Sequence, residues 1–182
     1  TYDPLARATI IKNPKGDNKT VAYDHWKETV IDENNHIKRE FKNAFGKINR
    51  VEEVVNATTN PTTYEYDTLD NLTKITDAAA NHIVMAYDTL GRRTSQKDPD
   101  MGTWTYGYDA VGNLLSVTDP RGNTTSFTYD AQNRLLTRTT PMGRTDTRRY
   151  DRNGNLIAFV DRRGQTSEFE YDATNRLIRQ TY

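Results

Sequence analysis

One dipeptide, Tyr-Asp, recurs along this 182-residue chain at a nearly constant interval. It occurs eight times; the last six occurrences follow each other at steps of 21 residues, and the first two are also 21 residues apart. A 43-residue gap separates the second from the third, which fits two units and one insertion, and Phe41 and Gly46 are expected to mark the degenerate unit there. A fixed period of about 20–50 residues indicates a repeat architecture. The dipeptides begin at Tyr2, Tyr23, Tyr66, Tyr87, Tyr108, Tyr129, Tyr150 and Tyr171.

Each unit contains two turn signals. Four positions after the Tyr lies a residue type that tolerates positive φ, either Gly or, in some units, Asn or Asp. Eleven positions after the Tyr an Asp recurs, followed by Pro in Asp119-Pro120, with Gly three positions after the Asp. The sequence therefore predicts two turns and two short strands per unit. The residues assigned structural repeat roles are Tyr66, Asp67, Tyr87, Asp88, Gly91, Tyr108, Asp109, Gly112, Asp119, Pro120, Gly122, Tyr129, Asp130, Gly143, Tyr150, Asp151, Gly154, Gly164, Tyr171 and Asp172.

The strand segments alternate between large and polar residues. A second large residue precedes most of the Tyr residues by two positions, as in Tyr106/Tyr108 and Phe127/Tyr129, which places both rings on one face of a strand. Leu115 and Val117 are expected to alternate in the same way in the returning strand, and Thr, Ser and Arg residues, Arg148 among them, are assigned to the other face. The predicted fold class is all-β, with tandem hairpins of about 21 residues in a curved antiparallel sheet whose rings stack across strands.

The composition restricts the function. Hydrophobic residues make up 34% of the chain, which suits a sheet with one wet face better than a compact core. Lys and Arg (25) balance Asp and Glu (25), so no net charge favours nucleic acid as a partner. There is no Cys, and no apolar run is long enough to span a bilayer. The composition therefore predicts neither disulfides nor a membrane span.

The unit from Tyr108 to Tyr129, and the copies beginning at Tyr129 and Tyr150, resemble the YD or RHS repeat, strongly over residues 60–182 and more weakly over the degenerate residues 1–59. That family includes B and C components of bacterial ABC toxin complexes, Rhs polymorphic toxins and the animal teneurins. The resemblance implies one array over residues 1–182, a strip of a hollow spiral β-shell that in the toxins encloses a C-terminal toxic segment. It also implies a fragment of a larger secreted or cell-surface bacterial protein, whose targeting signal lies outside the fragment.

The residues favour a structural scaffold over two other classes. Repeated Tyr and Asp are expected to pack the sheet and its turns, because a site is usually a departure from the pattern. His25, His36 and His82 lack metal-ligand spacing, and no catalytic residue, cofactor site or metal site is assigned. The alternative is a cell-surface module that binds glycans or a partner; an enzyme is the third class. Open edge strands also leave edge-to-edge self-association as an expectation.

Eight arginines are concentrated between residues 134 and 163. We interpret these residues as the solvated face of strands and turns. The alternatives are that they bind an enclosed polypeptide or nucleic acid, and the zero net charge of the chain disfavours nucleic acid. They are Arg134, Arg138, Arg144, Arg148, Arg149, Arg152, Arg162 and Arg163.

Overall fold

The computed structural model describes residues 1–5, 7–12 and 18–182. The chain divides into two compact units, one formed by residues 1–87 with 97–100 and the other by residues 88–96 with 101–182. All seventeen named elements of the described chain are β-strands. No helix that is long and apolar enough to cross a membrane occurs within the described ranges.

The first unit is an antiparallel meander in which each strand pairs with the next. A short bridge between Tyr2 and Ala8 precedes it. Its strands are β1 (Ile10–Lys12), β2 (Asn18–Asp24), β3 (Lys27–Ile31), β4 (Ile37–Lys42), β5 (Ile48–Val55), β6 (Thr58–Tyr66), β7 (Leu72–Thr76) and β8 (His82–Tyr87).

The second unit repeats the same hairpin with greater regularity, again pairing each strand with the next. Its strands are β10 (Gly102–Tyr108), β11 (Leu114–Thr118), β12 (Thr124–Tyr129), β13 (Leu135–Thr139), β14 (Thr145–Tyr150), β15 (Leu156–Val160), β16 (Thr166–Tyr171) and β17 (Leu177–Thr181). The remaining strand, β9 (Arg93–Asp98), has residues in both units. The prediction of an all-β array of antiparallel hairpins is confirmed.

A β-bulge recurs beside the Tyr of five regular units. Tyr108 pairs with Leu114 while Gly107 pairs with Ser116, so Leu115 is an extra residue without a partner of its own. The same shift occurs before Tyr66, Tyr129, Tyr150 and Tyr171. A bulge bends its strand and increases the local twist. The alternation predicted for the returning strands therefore holds only beyond the bulge.

The sheet buries little. Within the described chain no side chain is completely buried, and the buried apolar residues are Val21, Met85 and Ala158, at 4%, 8% and 7% exposure. One charged residue, Asp146, is also buried, at 6% exposure. A single layer of strands half-covers its side chains, so stabilisation must come from backbone ladders, turns and contacts between successive units.

Two sequence assignments are corrected by the structure. Lys42 and Asn43, rather than Phe41, occupy the Tyr-Asp position of the degenerate unit: the bulge lies between Phe41 and Lys42, and Asn43 closes the turn that ends at Gly46. The physical reason is that the strand register, and not the nearest aromatic ring, sets the frame.

Arg148 lies on the ring-bearing face and not on the opposite one. It pairs across strands with Phe159, and its guanidinium lies 5.1 Å from the centre of the Phe159 ring. Arg148 precedes Tyr150 by two residues, as Phe127 precedes Tyr129, so the period of two places it with the rings despite its charge.

Candidate functional site: the tyrosine and turn ladders

The Tyr hydroxyls tie each hairpin to the one before it. Tyr129 donates its hydroxyl hydrogen to the carbonyl of Leu114 at 3.0 Å, and Tyr150 donates to Leu135 at 3.0 Å, in each case fifteen residues back. The other regular members of this tyrosine ladder donate in the same way at 2.9–3.1 Å: Tyr87 to Leu72, Tyr108 to Arg93 and Tyr171 to Leu156. The ladder extends into the degenerate region through Tyr23 and Tyr66.

The bulge explains why a carbonyl is available to each hydroxyl. The pairing of β11 with β12 covers Ser116 to Thr118 and ends two residues short of Leu114. The Leu114 carbonyl therefore lies at the end of the backbone ladder, and a backbone acceptor away from water needs a partner. The phenol of Tyr129 supplies it, and burial raises the pKa of that phenol, with the nearby Asp109 charge adding to the effect. The Tyr stays a neutral donor.

The Asp of each of the last six dipeptides closes the first turn of its unit. Asp109 Oδ1 accepts the backbone N–H groups of Val111 and Asn113, at 3.1 and 2.8 Å, and the Gly112 N–H donates to the Asp109 carbonyl. Asp67, Asp88, Asp130, Asp151 and Asp172 make the equivalent pair of bonds to residues two and four positions on. Such side-chain bonds compete with extended structure and fix a turn.

The second turn uses the same chemistry. Asp119 Oδ1 accepts from the backbone of Arg121 and Asn123, and Pro120 lies at the second position of that turn. All six glycines assigned to turns adopt positive φ, between 73° and 102°: Gly91, Gly112, Gly122, Gly143, Gly154 and Gly164. The residues assigned repeat roles therefore lie in the tyrosine ladder and in two rows of turns.

These carboxylates are held ionised. Burial tends to raise the pKa of Asp109, but hydrogen bonds from the Asn113 side chain and from the turn backbone outweigh it and lower the pKa. The hydroxyl of Thr174, with the backbone and side chain of Arg176, lowers the pKa of Asp172 to about 2. A general acid of a glycosidase needs the opposite shift, a carboxyl whose pKa is raised towards neutrality. The turn carboxylates are thus suited to structure.

A further position was missed by sequence reasoning: the residue five positions after the Tyr of each regular unit. Its side chain donates to the Asp Oδ2, as Arg134 Nε does to Asp130 at 2.6 Å and Asn113 Nδ2 does to Asp109 at 2.8 Å. From the third dipeptide onward this position alternates strictly between Asn and Arg: Asn71, Arg92, Asn113, Arg134, Asn155 and Arg176. The alternation is visible in the sequence and could have been found by aligning the units.

In the second compact unit the alternating Asn and Arg side chains make different bonds to the next repeat. Arg134 Nη1 donates to the backbone carbonyl of Asp151 in the next repeat at 3.0 Å, and its guanidinium lies 4.7 Å from the Tyr150 ring centre. Asn113 instead donates to the side-chain oxygen of Asn133 in the next repeat at 2.9 Å. Arg92 and Asn155 repeat these two patterns towards Asp109 and Asn175. Adjacent turns are therefore tied together alternately by guanidinium and by amide.

The arginine run separates into different environments. Arg138, Arg144, Arg148, Arg162 and Arg163 line one groove of about 940 Å³. Arg134 and Arg152 lie elsewhere, beside Tyr150 and Asp151. The interpretation of the whole run as a solvated face therefore does not describe Arg148, which lies over Phe159.

The histidines contact separate partners. His25 hydrogen-bonds Asp24, His36 hydrogen-bonds Asp32, and His82 hydrogen-bonds Thr76. In the part of the chain that the structure describes, no three His, Asp or Glu side chains are grouped so as to hold a metal ion.

Comparison with known proteins supports the same repeat. The sequence profile described as RHS Repeat matches residues 48–82, 87–123, 108–145 and 150–182, which together make up more than half of the chain. No curated protein sequence matches the chain.

Solved structures share the fold. The structure titled TcdB2-TccC3-TEV aligns with a TM-score of 0.79 at 18% identity, over 99% of this chain and 11% of that one. TcdB2-TccC3-Cdc42 aligns with a TM-score of 0.67 at 15% identity, over 97% and 14%, and the Photorhabdus luminescens Tc holotoxin pore with 0.66 at 14%, over 98% and 14%. This chain spans only a small part of each. These alignments show a shared fold, and the profile matches over more than half of the chain place it in the RHS repeat family.

Proposed function

We propose that this chain is a segment of the wall of a hollow shell that encloses a polypeptide, such as a toxin, in a secreted or cell-surface bacterial protein. The observation that carries the proposal is the tie between successive hairpins, made by the tyrosine ladder and by the alternating bonds between turns. A wall needs lateral continuity and stiffness, and these contacts connect every regular unit to the next.

The burial pattern supports a wall within a longer array. Stacked repeats stabilise one another, because one hairpin cannot bury its own apolar residues. Several apolar side chains at the turns are exposed, including Leu69 at 65%, Leu90 at 67% and Val111 at 71%. In a larger shell, further repeats of the same chain would cover part of this surface. One of the solved structures with a similar fold is titled as a Tc holotoxin pore, which agrees with a toxin setting.

The test uses the intact protein as its own cells produce it. The protein is digested with a nonspecific protease under native conditions, and protected fragments are identified by mass spectrometry. A wall predicts that one non-repeat polypeptide survives digestion and is lost when the array is first opened with denaturant. Electron microscopy of the same sample is expected to show a closed cavity. Immediate digestion of every non-repeat segment, together with particles that lack a cavity, would refute the proposal.

A glycan-binding function is favoured by one local observation. Trp26 is 58% exposed and lines a hollow of about 540 Å³ together with Asp24 and Asn49. An exposed indole beside polar side chains suits a sugar ring. Glycan-array binding that is abolished by Trp26→Ala and retained by Phe45→Ala, an exposed ring outside the hollow, would favour this second function.

A further inference from the structure

One unit of the array departs from the pattern of its ring-bearing face. The position two residues before the Tyr holds Tyr64, Met85, Tyr106, Phe127 and Phe169 in the other regular units, but Arg148 before Tyr150. The adjoining strands depart as well. β13 and β14 pair Arg138 with Asp146, whereas the equivalent pairs in other units are uncharged: Ile75 with Ile83, Val117 with Thr125 and Phe159 with Ser167. Three charged residues thus lie in one patch where the other units carry uncharged residues.

The charges of this patch are incompletely paired. Asp146 is 6% exposed and its Oδ1 lies 3.4 Å from Arg162 Nε. The Arg148 guanidinium lies over Phe159, and its Nη1 is buried with no hydrogen-bond acceptor among the described residues. A buried donor without a partner lowers the stability of the fold. A local departure that lowers stability indicates a function at that place.

The groove around Arg148 is basic. Five arginines and three aspartates line it, which gives a net charge of +2 (5 − 3). Two of those aspartates, Asp119 and Asp161, have an oxygen that accepts two backbone N–H groups of its own turn. Asp146 pairs with Arg162. Arg138, Arg144 and Arg148 line the groove and form no ion pair among the described residues, although Asp146 is the cross-strand neighbour of Arg138.

Apolar surface lies between these charges. The Phe159 ring and the Pro141-Met142 segment line the same groove, and Met142 is 83% exposed. Arginine forks bind carboxylates with two parallel hydrogen bonds, and the unsatisfied Arg148 Nη1 is a donor for such a pair. A ligand that combines carboxylates with apolar side chains matches both features.

We infer that the groove around Arg148 is a binding site for an acidic polypeptide segment that also carries apolar residues. Its carboxylates pair with Arg138, Arg144 and Arg148, and an apolar side chain packs on Phe159 and Met142. Nucleic acid fits less well, because the groove offers one ring rather than a series of stacking platforms and the chain has no net positive charge. The inference goes beyond a wall, since a wall requires no ligand at any one repeat.

The test measures binding of a fluorescent peptide of about twelve alternating Glu and Leu residues by anisotropy, to the 182-residue protein. Arg148→Gln is expected to weaken binding about tenfold or more, the value of one charge-assisted pair. The matched control is Arg149→Gln, which removes the same charge from the exposed neighbouring position of β14 and is expected to leave the affinity within about twofold. A peptide with Gln in place of Glu is expected not to bind.

A second variant separates binding from folding. Arg148→Phe restores the ring of the other units and removes the unsatisfied donor, so it is expected to raise the thermal midpoint while abolishing peptide binding. Equal effects of Arg148→Gln and Arg149→Gln, equal binding of the Gln peptide, or tighter binding of a single-stranded oligonucleotide would each overturn the inference. None of these outcomes bears on the protease-protection test of the wall, so the two proposals fail separately.

Discussion

Removing one hydroxyl from the tyrosine ladder tests how the array is held together. Tyr129→Phe deletes the donor to the Leu114 carbonyl and keeps the ring. A hydrogen bond contributes about 0.5–1.5 kcal/mol net, and an acceptor left unsatisfied away from water adds a penalty of about 1–3 kcal/mol. Leu114 is half-buried, so water reaches its carbonyl in part and the lower end applies. We expect a loss of about 1–2 kcal/mol in the free energy of unfolding.

The matched control is Tyr106→Phe, in the same compact unit as Tyr129. Tyr106 lies in β10, and its hydroxyl has no hydrogen-bond partner in the part of the chain that the structure describes, so the change is expected to be within about 0.5 kcal/mol. Both variants retain the ring and its contacts, such as Arg93 over Tyr106. Urea unfolding followed by circular dichroism gives the comparison. If the two variants unfold at the same urea concentration, the ladder does not stabilise the array and the reasoning is wrong.

Three further predictions concern the turns. Gly102→Ala is expected to destabilise the fold by about 1–3 kcal/mol more than Gly122→Ala in urea unfolding. Both glycines have φ near 80°, but only at Gly102 would the new Cβ meet a proline carbon, at 2.6 Å. Equal losses of stability would contradict this. The pKa of Asp172 lies at about 2, below its ordinary 3.8, so its stabilisation is present above about pH 4 and is lost as the pH falls through 2. The difference in thermal midpoint between the native protein and Asp172→Asn should therefore shrink over that range, and a constant difference would argue against it. Arg134→Ala should lower the thermal midpoint, because the Arg134 side chain bonds both to its own turn and to the next. Arg152→Ala should leave the midpoint unchanged, because Arg152 is exposed and forms no ion pair in the described chain. Similar midpoints for the two variants would show that the tie between turns is weak.

The fold was predictable because its signals are local. Each Asp acts on backbone groups two and four residues away, as Asp109 does on Val111 and Asn113, so the turn is specified within one short segment. The positive φ at Gly112 is likewise a local property, because the identity of that one residue permits it. Identical local signals repeated at 21 residues leave little choice but a meander of hairpins.

The features that were missed depend on distant partners. Arg134 and Asn113 occupy equivalent positions, yet one reaches a carbonyl seventeen residues on and the other an amide twenty residues on. The preference for Asn133 over Gly at its turn follows from that contact and not from φ, which either residue type tolerates. The bulge leaves no mark of its own, because the extra residue at Leu115 is apolar like Leu114. A single unit read alone contains none of this information.

Arg148 shows why residue type misled where position did not. The charge of Arg148 suggested the solvent-exposed face of the strand, whereas its position two residues before Tyr150 predicted the ring-bearing face. In the structure Arg148 lies on the ring-bearing face. Strand geometry permits no other outcome without a shift in register, which would turn every neighbouring side chain over. The ladder bond from Tyr150 to Leu135 and the bond from Arg134 to Asp151 tie the end of β14 to the preceding repeat and help to hold that register. The regular positions thus keep a charged group where the pattern of the array calls for a ring, and a ligand that supplies the missing acceptor would offset the free energy lost there.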